Sequence, residues 1–110
     1  MAYEEELADR IREAVWDEPG LSEKRMFGGL AFLVNGNMAV SASGQGGILL
    51  RVDPGSTDEL VDRHRVRRFE MRGRAMDGWL RVDREAVTSD EELRRWVDRG
   101  LRYARSLPPK

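Results

Sequence analysis

Apolar residues recur at helical spacing over residues 4–17, where Leu7, Ala8, Ile11, Ala14 and Val15 share one face. Acids crowd the first turn of this segment, where they complement the helix dipole, and Pro19-Gly20 ends it. The pattern then changes period. Residues 24–34 and 37–43 read as strands around Asn35-Gly36, a pair that tolerates the positive φ angles of a two-residue hairpin turn. That turn predicts a register in which Leu33 pairs with Met38, Phe32 with Ala39 and Ala31 with Val40. One face would carry Ala31, Leu33, Met38, Val40 and Ala42, and the other Leu30, Phe32, Val34 and Ala39. Neither face is polar, so the hairpin is expected to be covered on both sides, by a helix on one and by another part of the chain or a second copy on the other.

Beyond the turn 43–47 a third strand is expected at 48–52, closed by Asp53-Pro54-Gly55. Ser56 and Glu59 have capping-box spacing and predict a short helix through Leu60 and Val61 to about His64. Short strands are expected around Phe69 and Met71 and over 78–82. The last segment is the best specified. Ser89 and Glu92 form a capping box, and Leu93, Trp96, Val97, Gly100, Leu101 and Ala104 then keep helical spacing. Gly100 costs about 1 kcal/mol against alanine inside a helix, so its place on the apolar face predicts close backbone packing there. The expected order is α-β-β-β-α-β-β-α. It describes an α+β two-layer sandwich, an antiparallel sheet of about five strands with helices packed on it. The 110 residues read as a single domain.

Composition narrows the chemistry. The chain has no cysteine, which removes disulfides, thiol catalysis and iron–sulfur ligation and fits a reducing, cytoplasmic setting. No apolar run is long enough for a membrane helix, and the acidic start at residues 1–6 is unlike an export signal. Net charge is −1, but it is unevenly placed. Residues 1–18 hold seven acids against two arginines, whereas residues 63–74 hold six arginines against one acid.

No catalytic set emerges from these residues. His64 is the sole histidine, and one imidazole without cysteines makes no metal site. Ser41, Ser43, Ser56 and Ser89 lack a nucleophile-elbow setting. Gly44, Gly46 and Gly47 run into a strand rather than a helix, unlike a phosphate loop. The carboxylate runs 4–6 and 90–92 sit at helix starts, where they stabilise the dipole. Accordingly no catalytic residue, cofactor or metal is expected. The segment with the most content is Arg63, Arg65, Arg67, Arg68, Arg72 and Arg74, whose forks suit phosphate or carboxylate. It reads either as a surface for an anionic partner or as a solvated edge that balances the acidic first helix. Alternation along a strand would split it between two faces.

Arg25-Met26-Phe27-Gly28-Gly29, followed by the hairpin, by 48–52 and by Trp79-Leu80-Arg81-Val82, resembles the N-terminal domain family of TfoX (Sxy), the bacterial competence regulator. The resemblance runs from about Tyr3 to Leu107 and implies a sandwich of the secretion-chaperone-like kind. TfoX carries a second, C-terminal domain, so a stand-alone member is expected. The resemblance implies a non-enzymatic regulatory module, linked to transcription of competence-type genes through protein contacts, with self-association as a homodimer as one form of contact. Direct nucleic-acid binding through residues 63–74 is the alternative, and a small-molecule binder is a second one. In the motif itself Arg25, Met26 and Phe27 would anchor the strand, while Gly28 and Gly29 let the backbone bend or approach a neighbour closely.

Overall fold

The computed structural model describes residues 4–26, 28–44, 46–62 and 65–110, the side chain of Met71 excepted. Helix α1 (Glu5–Val15) precedes four strands, β1 (Leu21–Met26), β2 (Gly29–Val34), β3 (Asn37–Ala42) and β4 (Ile48–Arg51). A 3-10 turn at Pro54–Ser56 leads into the one-turn helix α2 (Thr57–Leu60). Strands β5 (Val66–Met71) and β6 (Arg74–Val82), a second 3-10 turn at Arg84–Val87 and helix α3 (Asp90–Ser106) complete the chain. The strands form one antiparallel sheet in the order β1-β2-β3-β4-β6-β5, so the expected α+β architecture and element order hold. The sheet has six strands rather than about five. The extra one arises because residues 24–34 do not run as a single strand. The chain doubles back near Gly28, and β1 pairs with β2 from Leu21 opposite Val34 to Met26 opposite Gly29. Glu23, Lys24 and Arg25 line this outermost strand, and such charges discourage pairing with another sheet.

Helices α1 and α3 pack on one face of the sheet. Leu7, Ile11 and Val15 of α1 and Leu93, Val97, Leu101 and Ala104 of α3 meet Phe32, Val34, Val40, Leu50, Leu80 and Val82 in the main core. Helix α3 starts on the expected capping box, with Ser89 Oγ accepting from Glu92 N at 3.1 Å. The second expected capping box is absent, because the Ser56 side chain caps nothing. Thr57 organises that corner instead. Its buried hydroxyl donates to Pro54 O at 2.8 Å and accepts from Gly78 N at 2.7 Å. The helix also stops at Leu60, so the expected extension through Val61 fails and its end at His64 lies outside the described residues.

The Asn35-Gly36 turn has φ of 51° and 85°, as a two-residue hairpin requires. Leu33 pairs with Met38 as expected, but the next pair is Phe32 with Val40 and then Ala31 with Ser41. Ala39 is therefore an extra residue, a β-bulge. The bulge corrects the expected faces, because Val40 and Ala42 turn to the helix side with Leu30, Phe32, Val34 and Ala39. Helix α3 packs closely on it. A Cβ at Gly100 would lie 2.5 Å from Ala39 O, so the helix backbone rests on the bulge. The hairpin is shielded on both sides, all twelve residues of β2 and β3 being buried. On the outer face Ala31, Leu33, Met38 and Leu49 form a second cluster, flanked by Met26, Phe69 and Trp79. Residues of this same chain thus supply the second cover.

Candidate functional site

The outer sheet face positions the residues with binding chemistry. Strand period two places Ser41 and Ser43 on the same face, and Ser41 sits opposite both Ala31 and Leu49. In β6 the same alternation sends Leu80 and Val82 into the main core and leaves Trp79 and Arg81 on the outer side. Arg67 of β5 lies directly opposite Arg81. Just beyond, the β5–β6 register jumps. Arg68 faces Leu80, whereas Phe69 faces Met76, and the surplus residues of β6 form a bend at Gly78. This bend leaves Phe69 half-buried beside Leu49.

These strands enclose an open groove of about 410 Å³. Leu49 and Phe69 give it an apolar side, Ser41 and Ser43 two hydroxyls, and Arg67 and Arg81 two guanidinium groups, with Arg68 and Glu70 at its wall. Arg67 is exposed and makes no ion pair among the described residues. The Ser41 hydroxyl is buried, and it donates to Ala42 O at a long 3.3 Å. The volume is in the range of small binding sites, but the lining is mostly polar and charged, with Leu49 and Phe69 its apolar part.

The other predicted arginines go elsewhere. Arg68 points away from its neighbour Arg67, and its fork joins Asp77 at 2.8 Å and Asp58 of α2. Hydrogen bonds from Asp77 and then Asp58 hold it more firmly in the charged form. This arginine ties α2 to β6. Arg65 stands exposed at the start of β5, its carbonyl accepting from Asp83 N at 2.6 Å. Arg72 and Arg74 are exposed at the β5–β6 turn, where Arg72 and Gly73 have φ of 54° and 79°. Arg63 and His64 lie outside the described residues. The basic segment is thus divided between the groove, the α2 corner and the hairpin tip.

The glycine motif sits at the far edge of the sheet. Arg25 and half-buried Met26 end β1, and Phe27 lies outside the described residues. Gly28 has φ of 73°, and a Cβ on Gly29 would fall 2.0 Å from Ala42 O. The turn between β1 and β2 therefore presses its backbone against β3.

Two further features complete the polar surface. Arg51 lies over the rings of Trp79 and Tyr103, at 5.1 and 5.6 Å from their centroids, and so links the sheet to α3. A second cavity, of about 430 Å³, lies between α2 and the end of α3. Asp53 and Glu59 share it with Arg99 and Arg102, which leaves it without a dominant charge. Among the described residues no three His, Asp or Glu side chains are grouped to hold a metal ion. No described helix is long and apolar enough to cross a membrane.

Arg81, Ser41 and Ser43 were not expected as site residues. Their period-two spacing was legible, but the pairing that brings β3, β4, β6 and β5 side by side was not. No curated protein and no solved structure matches the chain significantly. The family profile described as the TfoX N-terminal domain matches residues 10–104, which takes in the glycine turn, the bulged hairpin and every strand of the groove. This chain belongs to the TfoX N-terminal domain family.

Proposed function

We propose that the protein is a non-enzymatic regulatory module that binds a protein partner through the outer face of its sheet, and that this contact bears on transcription of competence-type genes. Family membership supports a non-catalytic, regulatory-type module. The observation that carries the docking assignment is the arginine–aromatic surface of Arg67, Arg81, Phe69 and Trp79 on that face. Arginine and aromatic side chains are the ones that most often dominate protein interfaces. The positive groups favour a partner with an acidic surface. A second copy of the chain is one such partner, since exposed Glu5, Glu6 and Asp9 line α1.

The test is genetic and biophysical together. Deleting the gene should change the host's transcript profile, and the wild-type chain should restore it. The Arg67→Glu, Trp79→Ala double variant should not restore it at equal protein level. Full restoration by that variant would overturn the assignment. Sedimentation of the purified chain over a concentration series reads whether the partner is a second copy.

Direct nucleic-acid binding is the second reading, favoured by exposed Arg72 and Arg74 at the hairpin tip. It predicts duplex affinity that falls steeply with salt and is lost in Arg72→Glu, Arg74→Glu. Fluorescence anisotropy with a labelled duplex separates the two readings.

A further inference from the structure

We propose that two copies of the chain pair antiparallel along the outer edge of β5, in one register, and form a weak two-fold dimer with a continuous sheet. This goes beyond the outer-face reading, since it uses the edge of the sheet and leaves that face open. Three observations carry it.

The first is which backbone groups point outwards. Strand β5 ends the sheet, with β6 as its neighbour. Arg65 O accepts from Asp83 N at 2.6 Å, so residue 65 bonds towards β6. At the other end the two-residue turn Arg72-Gly73 is closed by Met71 opposite Arg74, and a closing pair of that kind is hydrogen-bonded. Residues 65, 67, 69 and 71 therefore bond to β6, while 66, 68 and 70 face away from it. Val66 is already engaged, because it exchanges hydrogen bonds with Asp62 at 2.7 and 3.1 Å. At Arg68 and Glu70 no backbone bond fills the outer side among the described residues.

The second observation is that these groups select one register. A two-fold antiparallel pairing sets outward residues opposite outward residues. Arg68 on Arg68 would need the engaged Val66 for any further pair, and it opposes like charges. Glu70 on Glu70 also opposes like charges, and its next pair would need Arg72, which has left the strand at φ of 54°. Arg68 opposite Glu70 uses every outward group left, in two pairs related by the axis, and opposes unlike charges. Past Glu70 each chain turns towards its own β6 and so away from Asp62 of the other copy.

The third is charge at the two ends of the edge. The hairpin tip carries exposed Arg72 and Arg74. The α2 corner, reached from Arg68, carries exposed Asp58 and Glu59. The selected register brings each basic tip towards the acidic corner of the other copy. A second copy fits this edge because its own β5 is equally short and its ends are complementary.

The test uses the full chain in sedimentation equilibrium from about 20 µM to 1 mM. An interface this small should give a dissociation constant between about 10 µM and 0.5 mM. Glu70→Pro removes one N–H from each pair at an edge position where proline spares the β6 ladder, and it should weaken the dimer by about 10-fold or more. Arg25→Pro, the matching change at an outward position of the opposite edge strand β1, should leave it unchanged. In the wild-type chain, amide exchange at Arg68 and Glu70 should slow about 2-fold or more across the same concentrations, which decides the matter even where Glu70→Pro does not fold. A monomer up to 1 mM, or exchange at Arg68 and Glu70 that ignores concentration, would overturn the pairing and leave this edge to a strand of another protein. A dimer kept in Glu70→Pro but lost in Arg67→Glu, Trp79→Ala would be an outer-face dimer and would overturn it as well. The transcript test reads the outer face, so failure of either reading is told apart from failure of the other.

Discussion

Replacing Gly100 with alanine tests the seat of α3 on the sheet. In an exposed helix interior this change stabilises by about 1 kcal/mol, because alanine loses less backbone entropy. Here the new Cβ would stand 2.5 Å from Ala39 O and 2.8 Å from Leu50 Cδ1. Both are roughly 1 Å short of ordinary contact. The Leu50 side chain can yield, but the Ala39 carbonyl belongs to the bulge in the sheet, so the helix must lift. Overpacking of this kind costs about 1–3 kcal/mol. A lift of under 1 Å also weakens the contacts of Val97, Leu101 and Ala104 by roughly a quarter to a half of their dispersion attraction. These losses outweigh the propensity gain, giving a net destabilisation of about 2 kcal/mol. At about 2.1 cal/mol/K of unfolding entropy per residue, that lowers Tm by roughly 9 °C. Thermal and urea unfolding followed by circular dichroism would read it. Arg94→Ala, on the exposed side of the same helix, is the control and should move stability by no more than about 0.5 kcal/mol. A Gly100→Ala protein as stable as wild type, or more so, would refute the close approach of α3 to the Ala39 bulge.

Thr57→Val removes the hydroxyl that serves both Pro54 and Gly78 and leaves the Gly78 N–H without its acceptor, so it should cost about 1–3 kcal/mol by urea titration, while Thr57→Ser should cost much less. Ser89→Ala should cost about 1 kcal/mol and speed amide exchange in the first turn of α3, since it deletes half of the capping box. Acid should also act through Glu18 and Glu23, whose carboxyls are held below the ordinary range, first by hydrogen bonds from Arg105 and Arg12 respectively and also by their charge. A depressed folded-state pKa gives stability that is present above the unfolded value near 4.5 and is lost as pH falls through the folded one. Arg105→Met should therefore lower Tm at pH 7, and its difference from wild type should shrink as pH falls below 4.5; a difference that stays constant over that descent would assign the effect to packing rather than charge.

Several features could be read before any coordinates. The Asn35-Gly36 turn, the apolar faces of α1 and α3 and the Ser89–Glu92 cap are local, set by residues within a few positions of each other. Gly28-Gly29 was legible as a place where the backbone bends, although the strand before it was merged with the one after. Merging followed from the run of apolar residues around the motif, which hides a turn made by backbone conformation. The Arg72-Gly73 hairpin was missed for a related reason. Arginine is not a residue favoured at positive φ, and the strands on either side, not the turn residues, hold it there.

What the sequence alone determined was the kind and order of the elements, the buried faces of α1 and α3 and the family, because periodicity, caps and motifs are written in neighbouring residues. Tertiary structure alone revealed the bulge at Ala39, which packs against Gly100, some sixty positions away in the chain. It also decided which arginines share a surface. Arg67 meets Arg81 and not Arg68, because the side chains of adjacent strand residues point to opposite faces while pairing joins residues distant in sequence. The groove on the outer face exists only through that pairing.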